Sequence, residues 1–123
     1  RSSVTGKVTA VAFNYPEEYE NAVPSSKNFH NYMEASSKEL DLELTGLTPG
    51  VTFVIETLDK EHGNVYDEYV KIGSPHSPTR EETAYLKEKA WDTLKETIRV
   101  SQDGTLKLKR DLLPWTCILI KEL

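Results

Sequence analysis

The sequence predicts a mainly β protein, an antiparallel β-sandwich with one inserted α-helix, and three observations carry that prediction. Leu40, Leu42 and Leu44 alternate with Asp41, Glu43 and Thr45, which is the period of a half-buried strand. Turn formers at Thr48-Pro49-Gly50, Gly63-Asn64 and Asp103-Gly104 punctuate short β-type segments. One late stretch changes period, with Leu86, Ala90, Leu94 and Ile98 recurring every four residues. Several short strands, turn chemistry between them and one helix late in the chain describe a sandwich with a helical insertion.

The elements follow in order. Residues 4–15 read as a first strand, because Val8, Val11 and Phe13 favour β structure and Ala10 and Ala12 can be buried on either face. Pro16, Pro24 and Ser25-Ser26 then mark a long polar connection, in which Phe29, Tyr32 and Met33 suggest a loop pinned to the body. The alternating leucines form the next strand. After Gly50, Val51, Phe53, Ile55 and Thr57 share one face of a further strand, and Thr52, Val54, Glu56 and Leu58 share the other. Gly63-Asn64 is a turn, since glycine reaches positive φ without penalty and asparagine tolerates it.

Gly73, Pro75 and Pro78 interrupt regular structure, and Thr79 with Glu82 three residues on forms a capping box that starts the helix. That helix is expected over about residues 80–98, with Trp91, Leu86, Ala90 and Leu94 packing it onto the sandwich. Residues 105–109 form the strand after the Asp103-Gly104 turn. Pro114 opens the last strand, where Trp115, Cys117 and Leu119 oppose Thr116, Ile118 and Ile120. Both sets are apolar, which predicts a central strand covered on both faces.

A chain of 123 residues is one domain by length and can bury a real core. Its 37% hydrophobic and 28% charged residues are ordinary for a globular protein, and no apolar run reaches a membrane span. A net charge of −5 argues against a nucleic-acid partner, which requires a basic face. The single cysteine, Cys117, excludes an internal disulfide and sits in an apolar segment, where a thiol is usually inert packing. Starting at Arg1, the chain reads as a processed or excised piece whose missing part holds the activity.

Few residues invite a catalytic assignment. Asp59 and Glu61 lie two apart and would share a side of an extended strand, while Glu17-Glu18 and Glu81-Glu82 are adjacent pairs. Carboxylates at loop and helix-start positions are most often solvated charges. His30, His62 and His76 fit no metal-ligand spacing, and no CxxC or HxxxH accompanies them. No cofactor is expected. His62, between Glu61 and the turn, reads as a structural histidine whose ring bonds a carboxylate or a loop carbonyl. Tyr15, Tyr19, Phe29, Tyr32, Tyr66 and Tyr69 are the aromatic rings on which a sugar could stack. Tyr66 and Tyr69 could share one face of a short helical turn.

The order of certain residues is similar to one family. Asp59, Glu61-His62-Gly63-Asn64, Tyr66, Tyr69, Gly73-Ser74-Pro75 and Pro78-Thr79-Arg80-Glu81 resemble the C-terminal region of glycoside hydrolase family 39, which holds the β-xylosidases and α-L-iduronidases. Gly63, Tyr69, Ile72 and Glu82 depart from the Ser, Trp, Met and Gln common there. Residues 8–15 and 106–119 are similar to flanking strands of that region, and the match is poor between Pro16 and Lys38.

The resemblance implies a single β-sandwich accessory domain over residues 1–123, a fragment of a larger glycosidase. The catalytic glutamates of the family lie on a (β/α)₈ barrel outside this region, so no catalytic residue is carried over. It further implies a partner, the barrel of the same polypeptide, with Glu61, His62, Asn64, Tyr66 and Tyr69 at a docking surface or at the rim of its substrate pocket. Family members complete the sandwich with a strand from the start of the enzyme, which would leave this piece with an unpaired edge. An independent carbohydrate-binding module and a ligand-free fibronectin-like spacer are the alternatives.

Overall fold

A computed structural model describes residues 1–17 and 36–123. His30, Tyr19, Phe29, Tyr32 and Met33 lie outside the described residues. The chain runs β1 (Thr9–Phe13), β2 (Lys38–Leu44), β3 (Thr52–Leu58), α1 (Val65–Lys71), α2 (Arg80–Ala90), β4 (Leu94–Arg99), β5 (Leu106–Leu112) and β6 (Cys117–Glu122). One antiparallel sheet has the order β1-β6-β3-β4, and β2 pairs with β5 in a second. The architecture is a mainly β sandwich with a helical insertion between β3 and β4.

The core lies between the two sheets. Phe53, Ile55, Ile118 and Ile120 face it from the larger sheet, and Leu106, Leu108 and Leu112 from β5. Leu47 and Val100 close it from the connections. Gly104 is fixed by its surroundings as well as by its φ of +74°: a Cβ there would come within 2.7 Å of the Leu47 carbonyl oxygen, whose residue also donates its amide to Gly104 at 3.0 Å. At the open side, Arg110 of β5 reaches Glu96 of β4 at 3.3 Å and clasps the sheets together. Asn14 joins β1 to the same layer, its buried side-chain amide donating to the Leu112 carbonyl at 2.9 Å and to that of Ser36 at 3.2 Å.

The helical region departs from the expected single helix over 80–98. The capping box forms, with the Thr79 amide donating to Glu82 at 2.7 Å and the Glu82 amide to Thr79 at 3.2 Å. The helix ends at Ala90, and Leu94 and Ile98 belong to β4 instead. Pairing explains the change: β4 aligns Ile98 with Phe53 and Leu94 with Thr57 on a strand rich in core residues, and tertiary context overrides the four-residue period. Trp91 becomes the C-cap of α2 and is 77% exposed, so it does not pack the helix onto the sandwich. A second helix, α1, precedes α2 and carries Tyr66 and Tyr69.

The last strand is central as expected, between β1 and β3, but its faces differ. Ile118 and Ile120 are buried, whereas Cys117 and Leu119 are half-buried and Lys121 is exposed. The second sheet covers one face of β6, and the opposite face is the outside of the sandwich. The turn before it, from Leu113 to Thr116, is closed by the Thr116 amide on the Leu113 carbonyl at 3.1 Å. Pro114 sits at its second position and Trp115, at φ +64°, at its third. That is the geometry of a type II turn with a bulky residue where glycine is usual.

Candidate functional site

The 59–64 turn is built around one carboxylate oxygen. Asp59 Oδ1 accepts from the backbone amides of Glu61 at 2.8 Å and His62 at 2.9 Å. His62 Nδ1 lies 2.9 Å from the same oxygen. Since a carboxylate can only accept, that nitrogen carries the proton, and the ring is a structural brace as the sequence suggested. Gly63 then turns at φ +76°, with Leu58 and Thr93 so close that a Cβ would meet their methyl carbons at 3.2 and 3.0 Å. Asn64 caps α1, accepting from the Tyr66 amide at 3.1 Å and donating to the Lys60 carbonyl at 3.0 Å.

The helices are joined by a polar cluster. Glu68 of α1 accepts from Lys71 and from the Tyr85 hydroxyl of α2. Lys71 first and Tyr85 second hold the Glu68 carboxyl below its ordinary value, and Glu68 in return raises both partners. Tyr69 donates its hydroxyl to the Pro75 carbonyl at 3.0 Å, which pins the segment after α1. A cleft of about 290 Å³ lies here, with Lys60, Glu61, Asn64, Lys71, Lys89 and Asp92 in its lining. Lys89 is 3.6 Å from Asp92, so its charge is partly matched within the cleft wall.

Of the sequence-singled residues, Glu61, His62, Asn64, Tyr66 and Tyr69 are thus brought together in one turn and the helix that follows it. Asp59 braces the turn, while Glu61 is exposed and lines the cleft without Asp59 beside it. His76 is exposed and apart from that turn brace. Among the described residues no three His, Cys, Asp or Glu side chains converge on a point. Also among them, no helix is long and apolar enough to cross a membrane.

A second feature escaped the reading of the sequence. The register aligns Phe13 with Cys117 and Cys117 with Leu58, and beside them Val11 with Leu119. These five side chains occupy the outer face of the four-stranded sheet. Val11 is 59% exposed, Phe13 68% and Leu58 43%. Beyond this end of the sheet Tyr15 meets Trp115 edge-on, with ring centroids 5.0 Å apart. The signal was present in β1, where large Val11 and Phe13 share one parity and small Ala10 and Ala12 the other.

No protein-family model matches the chain, and no curated protein matches it. Solved structures do. A glycoside hydrolase family 39 enzyme from Xanthomonas axonopodis pv. citri superposes with a TM-score of 0.65 at 15% identity, over 94% of this chain and 24% of that one. A monomeric β-xylosidase from Caulobacter crescentus CB15 gives 0.56 at 20% identity, over 95% and 24%. The bacterial orthologue of human α-L-iduronidase gives 0.51 at 19%, over 72% and 17%.

The chain has the fold of a part of these glycosidases. It spans a quarter or less of their length. At such identities the likeness is one of fold.

Proposed function

We propose that this chain is a non-catalytic accessory domain from the C-terminal part of a glycoside hydrolase, packed on a catalytic barrel in the same polypeptide. The observation that carries the reading is the asymmetry of the match: nearly all of this chain corresponds to about a quarter of two glycosidases, one of them a β-xylosidase. The parent would hydrolyse O-glycosidic bonds, with β-xylosides the first substrates to test, through two carboxylates carried on the barrel. The site chemistry agrees with that division. Asp59, His62, Asn64 and Tyr69 direct their polar atoms to neighbouring backbone or to one another. Together with Glu61 and Tyr66 they make a stiff turn and helix fit to be presented at the barrel's rim.

A second reading is favoured by one observation, the 77% exposure of Trp91, since a flat exposed ring is what a sugar-binding module uses. One experiment addresses both. The isolated chain is assayed on an aryl β-xyloside and titrated with xylo-oligosaccharides, beside the full polypeptide assayed on the same glycoside. The accessory reading expects turnover from the full polypeptide alone and no binding by the isolated chain. Saturable binding that Trp91→Ala abolishes would replace it with the binding-module reading. Turnover by the isolated chain that survives repurification and is lost in Asp59→Asn or Glu61→Gln would overturn both.

A further inference from the structure

We propose that the outer face of the four-stranded sheet, centred on Phe13, Cys117, Leu58, Val11 and Leu119, is where this chain docks on the catalytic portion of its own polypeptide. The inference rests on the accessory-domain reading and names the contact surface within it.

The argument begins with β1, whose pattern is inverted for a strand with one wet side. Ala10 and Ala12 point inward, aligned with Ile120 and Ile118, while Val11 and Phe13 point outward. A one-residue slip would exchange the two sets. The register is nevertheless held by β6 on the core side, where Ile118 and Ile120 are buried, and by the Asn14 amide, which donates to the Thr116 carbonyl at 3.0 Å. The large residues are therefore placed outward by the fold. Single exposed apolar side chains need no explanation, but a contiguous row across three strands marks an interaction surface.

The row is also bounded. Along β6 it passes from Cys117 and Leu119 to exposed Lys121, and along β3 from Leu58 to Glu56, which is paired with Lys95 at 3.6 Å. An apolar centre with a charged rim is the anatomy of a protein contact. The remaining length supplies the occupant: three quarters of each of the two better-covered glycosidases lies outside the part that this fold matches.

Cys117, the single cysteine of the chain, sits in the middle of the row and reports on its cover. The rate at which a small maleimide labels Cys117 is measured by peptide mass spectrometry, in the full polypeptide and in the isolated chain. The proposal expects labelling at least about tenfold slower in the full polypeptide, and Phe13→Glu in that polypeptide to restore it, while Glu43→Lys on the opposite face leaves it slow.

Wild-type protection stands as support even where Phe13→Glu fails to fold. Equal rates in the two wild-type forms, in a full polypeptide that turns over a glycoside, would overturn the docking face and leave the accessory reading intact. A full polypeptide without glycosidase turnover would overturn that reading and the occupant with it. Equal protection already in the isolated chain overturns the proposal as well. If it rises with protein concentration the occupant is a second copy, if it needs added xylo-oligosaccharide the face is a sugar site, and if it needs neither the chain covers its own face.

Discussion

The two outer faces of the sandwich are built on the same pleat from opposite chemistry. On the two-stranded sheet, Glu39, Asp41 and Glu43 face outward beside Lys107, Lys109 and Asp111. Lys107 reaches Glu43 at 3.7 Å and Lys109 reaches Glu39 at 3.3 Å. On the four-stranded sheet the corresponding positions include Val11, Phe13, Leu58 and Leu119. Both sheets bury apolar residues on the inside, so a requirement for a core cannot explain the difference. What distinguishes the faces is what each leaves outside: charged side chains on one, apolar side chains on the other. On the proposed reading, a sandwich finished on one side and unfinished on the other is an accessory domain seen apart from its enzyme.

The largest effect that could break this comparison is a core truncation set beside a face truncation. Phe53→Ala empties a fully buried position and should destabilise the isolated chain by about 3–5 kcal/mol. Phe13→Ala removes the same number of atoms from a side chain that is 68% exposed, and should stay within about 0.5 kcal/mol. Urea melts of the two variants decide the matter. Equal losses would make Phe13 a core residue, and the face would no longer be unfinished.

Much of this was legible in the sequence, and the failures have physical causes. The alternation of Leu40, Leu42 and Leu44, the residues of β3, the turn at Gly63 and the Thr79–Glu82 box all read correctly, because each rests on local preference that the fold also uses. The end of α2 did not. Leu94 and Ile98 continue the helical period, yet β3 offers them a strand partner, and pairing to a sheet outweighs a weak local preference. Trp91 followed that error, since a bulky ring on a helix of the wrong length was assigned to the wrong side. In β1 the parity of Val11 and Phe13 could be read, but periodicity alone does not say which side is the core. His62 was legible as a brace because an acidic neighbour at short range was in view.

A smaller effect sharpens the boundary of the apolar face. Glu56 stands where the row gives way to charge, and its carboxyl is held below the ordinary 4.5 by the Thr93 hydroxyl first, with Lys95 contributing. A depressed carboxyl contributes stability that is fully present above pH 4.5 and is lost as pH falls through its lower folded value. Thr93→Ala should move Glu56 back toward 4.5 and flatten that acid loss. The effect should not exceed about 1 kcal/mol, since the group is partly in water. An NMR titration of the Glu56 carboxyl checks the direction. No movement would mean that Thr93 does not anchor the α2–β4 connection to the sheet.

The smallest expected effect lies on the charged face. Glu39 is aligned directly with Asp111, an unfavourable like-charge neighbour, and Lys109 relieves it by reaching across to Glu39. More than half of each of the two paired side chains is exposed, so water and salt screen the attraction. A double-mutant cycle with Lys109→Ala and Glu39→Ala should give a coupling of roughly 0.2–1 kcal/mol that fades as salt is raised. The cycle is best run on the isolated chain and on the full polypeptide. A wet face gives the same small, salt-sensitive coupling in both. A coupling that grows well beyond this range in the full polypeptide, and no longer responds to salt, would mean that the charged face is desolvated there. The proposed barrel would then sit on the two-stranded sheet, and the contrast between the faces would have been read backwards.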